Sequence, residues 1–179
     1  MKSTEVYAVL KQELAPMLTP AGFKRGRSFL SWSRATGSRY TVVWCQVSRE
    51  GWDSFAGSQF VVEFQRSAEP VVGAHPSRRQ RIVELLSEVD LNQARNAQNR
   101  IIAELRRPPA NHPNLQVSPE VSAWYLKKFE PVTEPCRNDD DFWFRYASPD
   151  HVKIWGRFLA ERLRGWVQQF ESEEPASRF

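Results

Sequence analysis

"FWFRYASPDHVKIWGRFLAERLRGWVQQF", running from Phe142 to Phe170, decides how this chain reads. Phe142 to Tyr146 is aromatic apart from one arginine and reads as a strand. Ser148 then stands where a helix N-cap is needed, because its hydroxyl can accept an otherwise unsatisfied N–H of the first turn. Pro149 suits the first helical position, where a missing N–H costs nothing. Asp150 puts negative charge beside the positive end of the helix dipole. Beyond it Val152, Trp155, Leu159, Leu163, Trp166 and Phe170 recur every three or four residues. Such spacing lays one apolar stripe along a long helix. A strand that feeds a one-sided helix calls for a sheet that the helix can cover.

Working outward, the chain supplies that sheet. "SFLSWSR" (28–34), "SRYTVVWCQVSR" (38–49) and "SQFVVEFQRS" (58–67) are rich in β-branched and aromatic residues. In the last, Phe60, Val62 and Phe64 alternate with polar neighbours, as in an antiparallel strand with one wet face. Residues 4–18 read as an amphipathic helix capped by Ser3 and ended by Pro20 and Gly22. "SRRQRIVELLSEV" and "NQARNAQNRIIAELRR" read as two helices broken near Asp90-Leu91-Asn92. Ser118 and Pro119 open a short helix over 119–128, after a Pro- and Asn-rich loop. The expectation is an α+β fold: an antiparallel sheet of about four strands, covered on one face by helices, with a long C-terminal helix. Residues 1–171 form a single domain and 172–179 a polar tail.

The 179 residues suffice for one sizeable core, and 41% hydrophobic with 26% charged residues is an ordinary globular balance. Seven Trp and eleven Phe supply much of that core, since aromatic side chains bury large areas. Two cysteines, Cys45 and Cys136, make neither a disulfide framework nor a zinc pattern. They read as reduced thiols, and with no apolar leader in "MKSTEVYAVLKQELAPML" the expected location is the cytoplasm, away from any membrane. The net charge is +4, with the basic residues gathered in two blocks, 1–40 and 76–107. That permits nucleic acid or an acidic protein as partner and demands neither.

An opening helix ending in "LTPAGFKRGRSFLSW", and much later an aromatic strand set directly before a long helix, form an ordered pair of features. Through Gly22-Phe23, the strand near Phe29, and Phe142-Trp143-Phe144 followed by Ser148-Pro149-Asp150, the chain resembles a bacterial family catalogued as domain of unknown function 4304. The resemblance implies an α+β domain and carries over no catalytic residue.

The candidate chemistry is thin. Asp139, Asp140 and Asp141 alternate sides in an extended chain, so at most two could share a cation. They read as a solvated acidic turn leading into the strand. Asp150 and His151 diverge on a helix and make a poor dyad. His75 and His112 precede prolines in loops and share no zinc motif with His151. Cys45 reads as a small buried hydrophobe, and acids around Cys136 disfavour its thiolate. No phosphate loop, dinucleotide fingerprint or nucleophile elbow is present. No cofactor and no metal are expected.

What remains are candidate partner-binding residues. Lys24, Arg25 and Arg27 form a basic turn, expected to project into water with no acid nearby. Arg78 and Arg79, with Arg81, open the expected central helix at the end its dipole disfavours for cations, a mild hint of a partner. Trp52 and Phe55 sit in a hairpin loop, where they either anchor an interface or fold back over the sheet edge. The leading expectation is a small non-catalytic binding protein, of inhibitor or immunity type, whose partner is another protein. A nucleic-acid-binding protein and an enzyme with a site assembled from distant residues are the alternatives.

Overall fold

The long helix begins where its capping residue requires. In the computed structural model, which describes residues 1–133 and 142–173, Ser148 Oγ accepts the His151 N–H at 3.3 Å. The helix then runs over Pro149–Ser172. In chain order the elements are α1 (Ser3–Leu18), β1 (Lys24–Arg25), β2 (Leu30–Thr36), β3 (Arg39–Val47), β4 (Ser58–Ser67), β5 (Arg78–Arg81), a 3₁₀ turn (Ile82–Leu85), α2 (Glu88–Ala103), α3 (Pro113–Gln116), α4 (Pro119–Lys127), β6 (Phe144–Tyr146) and α5 (Pro149–Ser172). Asp139–Asp141, Cys136 and residues 174–179 lie outside the described residues.

All strand pairs are antiparallel, in the order β1-β2-β3-β4-β5, with β6 also on β4. β5 pairs with Glu63–Arg66 and β6 with Ser58–Phe60, so the two short strands share one edge of β4. Alternation along the strands sends Leu30 and Trp32, Val43 and Cys45, and Phe60, Val62 and Phe64 into the main core. Val6, Leu10, Leu14 and Leu18 of α1 meet them there, with the whole α5 stripe from Val152 to Phe170. Each such side chain contributes roughly 1.5–3 kcal/mol on burial. The expected α+β sheet with its long C-terminal helix is therefore the observed architecture.

Among the described residues the sheet has six strands rather than about four. The added ones are β1 and β5, and both are short and basic, with no apolar alternation to announce them. β5 overturns the expected helix over "SRRQRIVELLSEV". Arg78–Arg81 pair with β4, Ile82–Leu85 make a 3₁₀ turn, and a helix starts only at Glu88. The expected break at Asp90 is in fact that helix's N-terminus. Ser87 Oγ accepts the Asp90 N–H at 3.2 Å, and the Asp90 carboxylate accepts the Ser87 N–H at 3.2 Å. This capping box satisfies two first-turn donors at once. At the other end of the chain, Lys2 rather than Ser3 is the N-cap position of α1, its N–H donating to Glu5 at 2.5 Å.

α3 and α4 stand apart from the main core. They pack on the 48–57 loop through a small cluster of Ala56, Tyr125 and Phe129, flanked by Phe55, Leu105 and Leu115. Two further joints tie the chain together. Buried His151 accepts the Ala147 N–H at Nδ1 (3.0 Å), which leaves Nε2–H to donate to Glu104 at the end of α2 (2.8 Å). Cys45 is wholly buried, and burial pushes its thiol up to about 12. Among the described residues no helix is long and apolar enough to cross a membrane.

Candidate functional site

Several of the basic residues singled out by sequence are engaged within the fold. Arg78 reaches the C-terminal end of α5, donating to the carbonyls of Phe170 (3.2 Å) and Glu173 (2.9 Å) and pairing with the Glu173 carboxylate. Arg66 donates to the Glu171 carbonyl at 2.8 Å, and Arg34 pairs with the Glu171 carboxylate at 2.5 Å. Three guanidinium groups thus meet the negative end of the longest helix, where its last carbonyls lack partners. Arg79 donates to Glu63 at 2.6 Å, and Arg81 lies 3.3 Å from the same carboxylate. Glu63 is buried, and β4–β5 register sets it opposite Arg81. The hint drawn from arginines at a helix N-terminus disappears, because these arginines lie on an edge strand and have structural partners.

The basic turn divides. Lys24, Arg25 and Arg27 are all exposed, but the Arg25 guanidinium is bent back into its own turn. It donates to the carbonyls of Gly26 (2.5 Å), Ser31 (3.0 Å) and Phe29 (2.7 Å). It thereby holds Phe29, a non-glycine residue at φ +53°. The expectation that all three cations only project into water is corrected for Arg25. Changing Lys24 and Arg27 together to Ser should move stability by no more than about 0.5 kcal/mol. Arg25→Ser should cost about 1–2 kcal/mol, since hydrogen bonds from a charged donor are lost. Urea midpoints of the two variants check this, and equal values would contradict the division.

Phe55 folds back. It is half-buried in the small cluster, edge-on to His112 with ring centroids 5.3 Å apart. Asp53 organises this corner. Its Oδ1 accepts the N–H groups of Phe55 (2.8 Å) and Ala56 (2.7 Å) and the Tyr125 hydroxyl (2.9 Å). His112 stacks on Tyr125 at 4.8 Å, and its Nδ1 accepts the Asn114 N–H. An Asp, a His and a Tyr in contact invite a catalytic reading, yet the hydrogen bonds are already committed to structure. Burial and the bond to Asp53 push the Tyr125 hydroxyl above its ordinary range, so it keeps its proton as a donor.

Burial alone would raise the Asp53 pKa. The N–H groups of Ala56 and Phe55, the Tyr125 hydroxyl and nearby His112 outweigh it, and the value lies below the usual one. A carboxyl lowered on folding stabilises fully above its unfolded value of about 3.9, and that stabilisation fades as pH falls through the lower folded value. The melting-temperature gap between the native protein and Asp53→Asn should therefore be constant near neutrality and shrink below about pH 4. A gap that widened in acid would contradict this assignment.

Trp52, by contrast, stays in the open. It is 38% exposed, with one side toward Tyr146 at 5.9 Å between centroids. It lines a cleft of about 350 Å³ with Glu50, Asp53, Gln59, Trp124, Lys128 and Arg145. α4 presents Trp124, 49% exposed, and the Lys128 ammonium lies 3.8 Å from its ring centre. Lys128 also pairs with Glu50 at 2.8 Å. β6 contributes Arg145, opposite Gln59 in the β4 register. Burial pulls the Arg145 pKa below arginine's ordinary range, opposed by the charge of Glu50. Its Nε has no hydrogen-bond partner among the described residues.

Of the sequence candidates, only Trp52 belongs to this cleft. Trp124, Lys128 and Arg145 were not singled out by sequence. One signal was there to read: Arg145 is the lone cation inside an aromatic strand, where an apolar or neutral residue would be cheaper to bury. The fold and the cleft together define a class, an α+β domain with a small aromatic-walled recess at the edge of its sheet. No family model, curated protein or solved structure matches the chain.

Proposed function

We propose that this chain is a non-catalytic cytoplasmic binding protein that engages another protein at the Trp52–Trp124 cleft, in the manner of an inhibitor or immunity protein. The carrying observation is that two part-exposed indoles flank a recess holding Arg145 and the edge of Tyr125. Trp, Tyr and Arg are the residues that most often dominate interface energetics, and they do so from desolvated pockets. The kinship with the domain of unknown function 4304 family belongs to this proposal and adds no activity to it. Support against catalysis comes from the Asp53–His112–Tyr125 group, whose polar atoms hold a turn, a short helix and a satellite core. Support against nucleic acid comes from Arg25, Arg34, Arg66, Arg78 and Arg79, which are engaged within the fold.

The test uses the purified protein as bait in a native lysate, beside a Trp52→Ala/Trp124→Ala variant of unchanged melting temperature. A stoichiometric protein retained by the first and lost by the second is the expected outcome. Equal retention by both, or repeated absence of any stoichiometric protein, would remove the proposal. Fluorescence anisotropy with single- and double-stranded oligonucleotides at low salt should show no binding. A signal falling steeply with salt would instead favour nucleic acid.

A further inference from the structure

Arg145 carries an unusual load for a residue in a three-residue strand. Its backbone is held from three directions: by the β4 register through Gln59, by its N–H to Gln98 Oε1 (3.2 Å), and by its carbonyl, which accepts the Trp155 indole N–H (2.6 Å). The side chain therefore starts from a fixed point. It runs into the cleft wall, where its Nε is out of contact with solvent and bonded to nothing among the described residues. Glu50, the acid whose charge it feels, is already held by Lys128. Asp53, the other acid of the cleft, has its Oδ1 filled by two backbone N–H groups and Tyr125.

Arg145 is part-buried, and withdrawing a cation from water without a partner is costly. A guanidinium presents donors in a planar fork that matches the two oxygens of a carboxylate or phosphate. Here the guanidinium of Arg145 lines the recess together with Trp52 and Trp124, whose rings suit a flat or apolar group. The recess is about 350 Å³, at the lower end of ordinary ligand pockets.

We propose that the cleft is an oxyanion-binding site. Arg145 receives the carboxylate or phosphate, and Trp52 and Trp124 receive the flat, apolar body that bears it. This rests on the reading of the cleft as the contact surface, and it specifies what a bound group must present there. A partner protein would supply the anion as an acidic or phosphorylated side chain beside an apolar one. The shared chemistry is a planar or tetrahedral oxyanion, and the experiment separates its two sources.

The experiment follows arginine Nε–H and indole N–H signals by NMR in the full chain, with Arg145 assigned from Arg145→Lys. Three probes are titrated: benzoate, phenyl phosphate and neutral benzamide. The Arg145 Nε–H and the indoles of Trp52 and Trp124 should shift saturably with at least one of the anions. Whichever anion binds tighter names the source. Benzamide should bind at least about tenfold more weakly, and Arg145→Lys should weaken the better anion by a similar factor, since it loses the fork and keeps the charge. Arg145→Gln should abolish binding, and if that variant does not fold, the comparison with benzamide on the native chain decides. Benzamide binding as well as the anions, or no saturation below about 10 mM for any probe, would overturn the assignment. If the probes fail while Trp52→Ala/Trp124→Ala still releases a captured protein, the oxyanion site is wrong and the binding reading stands. If the probes bind as expected and no protein is ever captured, the site stands and the protein partner does not.

Discussion

Trp155→Ala should lower stability by about 3–5 kcal/mol, the usual cost of removing a fully buried aromatic. For a chain of this size that is a fall of roughly 6–20 °C in melting temperature. Trp155 is wholly buried at the centre of the α5 stripe. Its ring meets Phe144 at 4.9 Å and Phe158 at 6.0 Å between centroids, so the cavity would open where strand and helix join. The substitution also deletes the donor to the Arg145 carbonyl, leaving a part-buried acceptor unmatched. Trp155→Phe separates the two losses, because it retains much of the volume and loses the hydrogen bond. It should cost clearly less than the alanine variant yet still disturb the Arg145 backbone. A melting temperature unchanged by Trp155→Ala would show that the stripe does not seat α5 on the sheet.

Gly57→Ala should be comparably damaging for a different reason, at about 3 kcal/mol or more. Gly57 has φ +70°, a left-handed conformation that any β-carbon strains. A β-carbon there would also collide with the Tyr146 carbonyl, lying 2.9 Å from its carbon and 3.0 Å from Ala147 Cα. Backbone cannot swing aside as a flexible side chain can, so the Ser58–Tyr146 pairing of β4 and β6 must part. The Asp53–Gly57 bridge that closes the hairpin loop would go with it. Gly37→Ala provides the control. Gly37 has φ +62° with nothing within 4 Å of an added β-carbon, so it should show the left-handed strain alone, about 1–2 kcal/mol. Urea midpoints for the two variants check the ordering. Equal losses would mean that the β4–β6 junction yields easily and that the cleft wall is not rigid.

The site and the fold meet at this junction. Arg145 lies between Phe144 and Tyr146, both buried in the main core, so the alternation of one short strand sends the cation to the other side. The sequence shows the alternation and the cation. It does not show Trp124 or Lys128, which arrive from α4 after a long irregular segment. Nor does it show that Glu50 would pair with Lys128, leaving the Arg145 Nε without a hydrogen bond among the described residues. The basic residues were equally visible and more misleading. Arg78 and Arg79 carry no local mark of a strand, because their partners are Phe170, Glu173 and Glu63, all distant in the chain.

Several elements rest on neighbours one or two turns away, and these the sequence by itself determined. The capping by Ser148, the entry of Pro149, the stripe from Val152 to Phe170 and the alternation of β4 are local patterns, and each produced its element. They were enough for an α+β chain with a long covering helix. The tertiary structure decided whatever depended on which distant group arrived first. It made Arg78–Arg81 an edge strand, because β4 offered unpaired backbone and a buried carboxylate. It turned Phe55 inward and left Trp52 outward in the same loop, because Asp53 binds the Phe55 and Ala56 N–H groups and packs that side of the loop on Tyr125. It gave the Glu50 carboxylate to Lys128, so that Arg145 feels its charge without a hydrogen bond to it among the described residues. Hydrogen-bond and ion-pair partners are allotted by proximity in space, and a list of residue types does not carry that information.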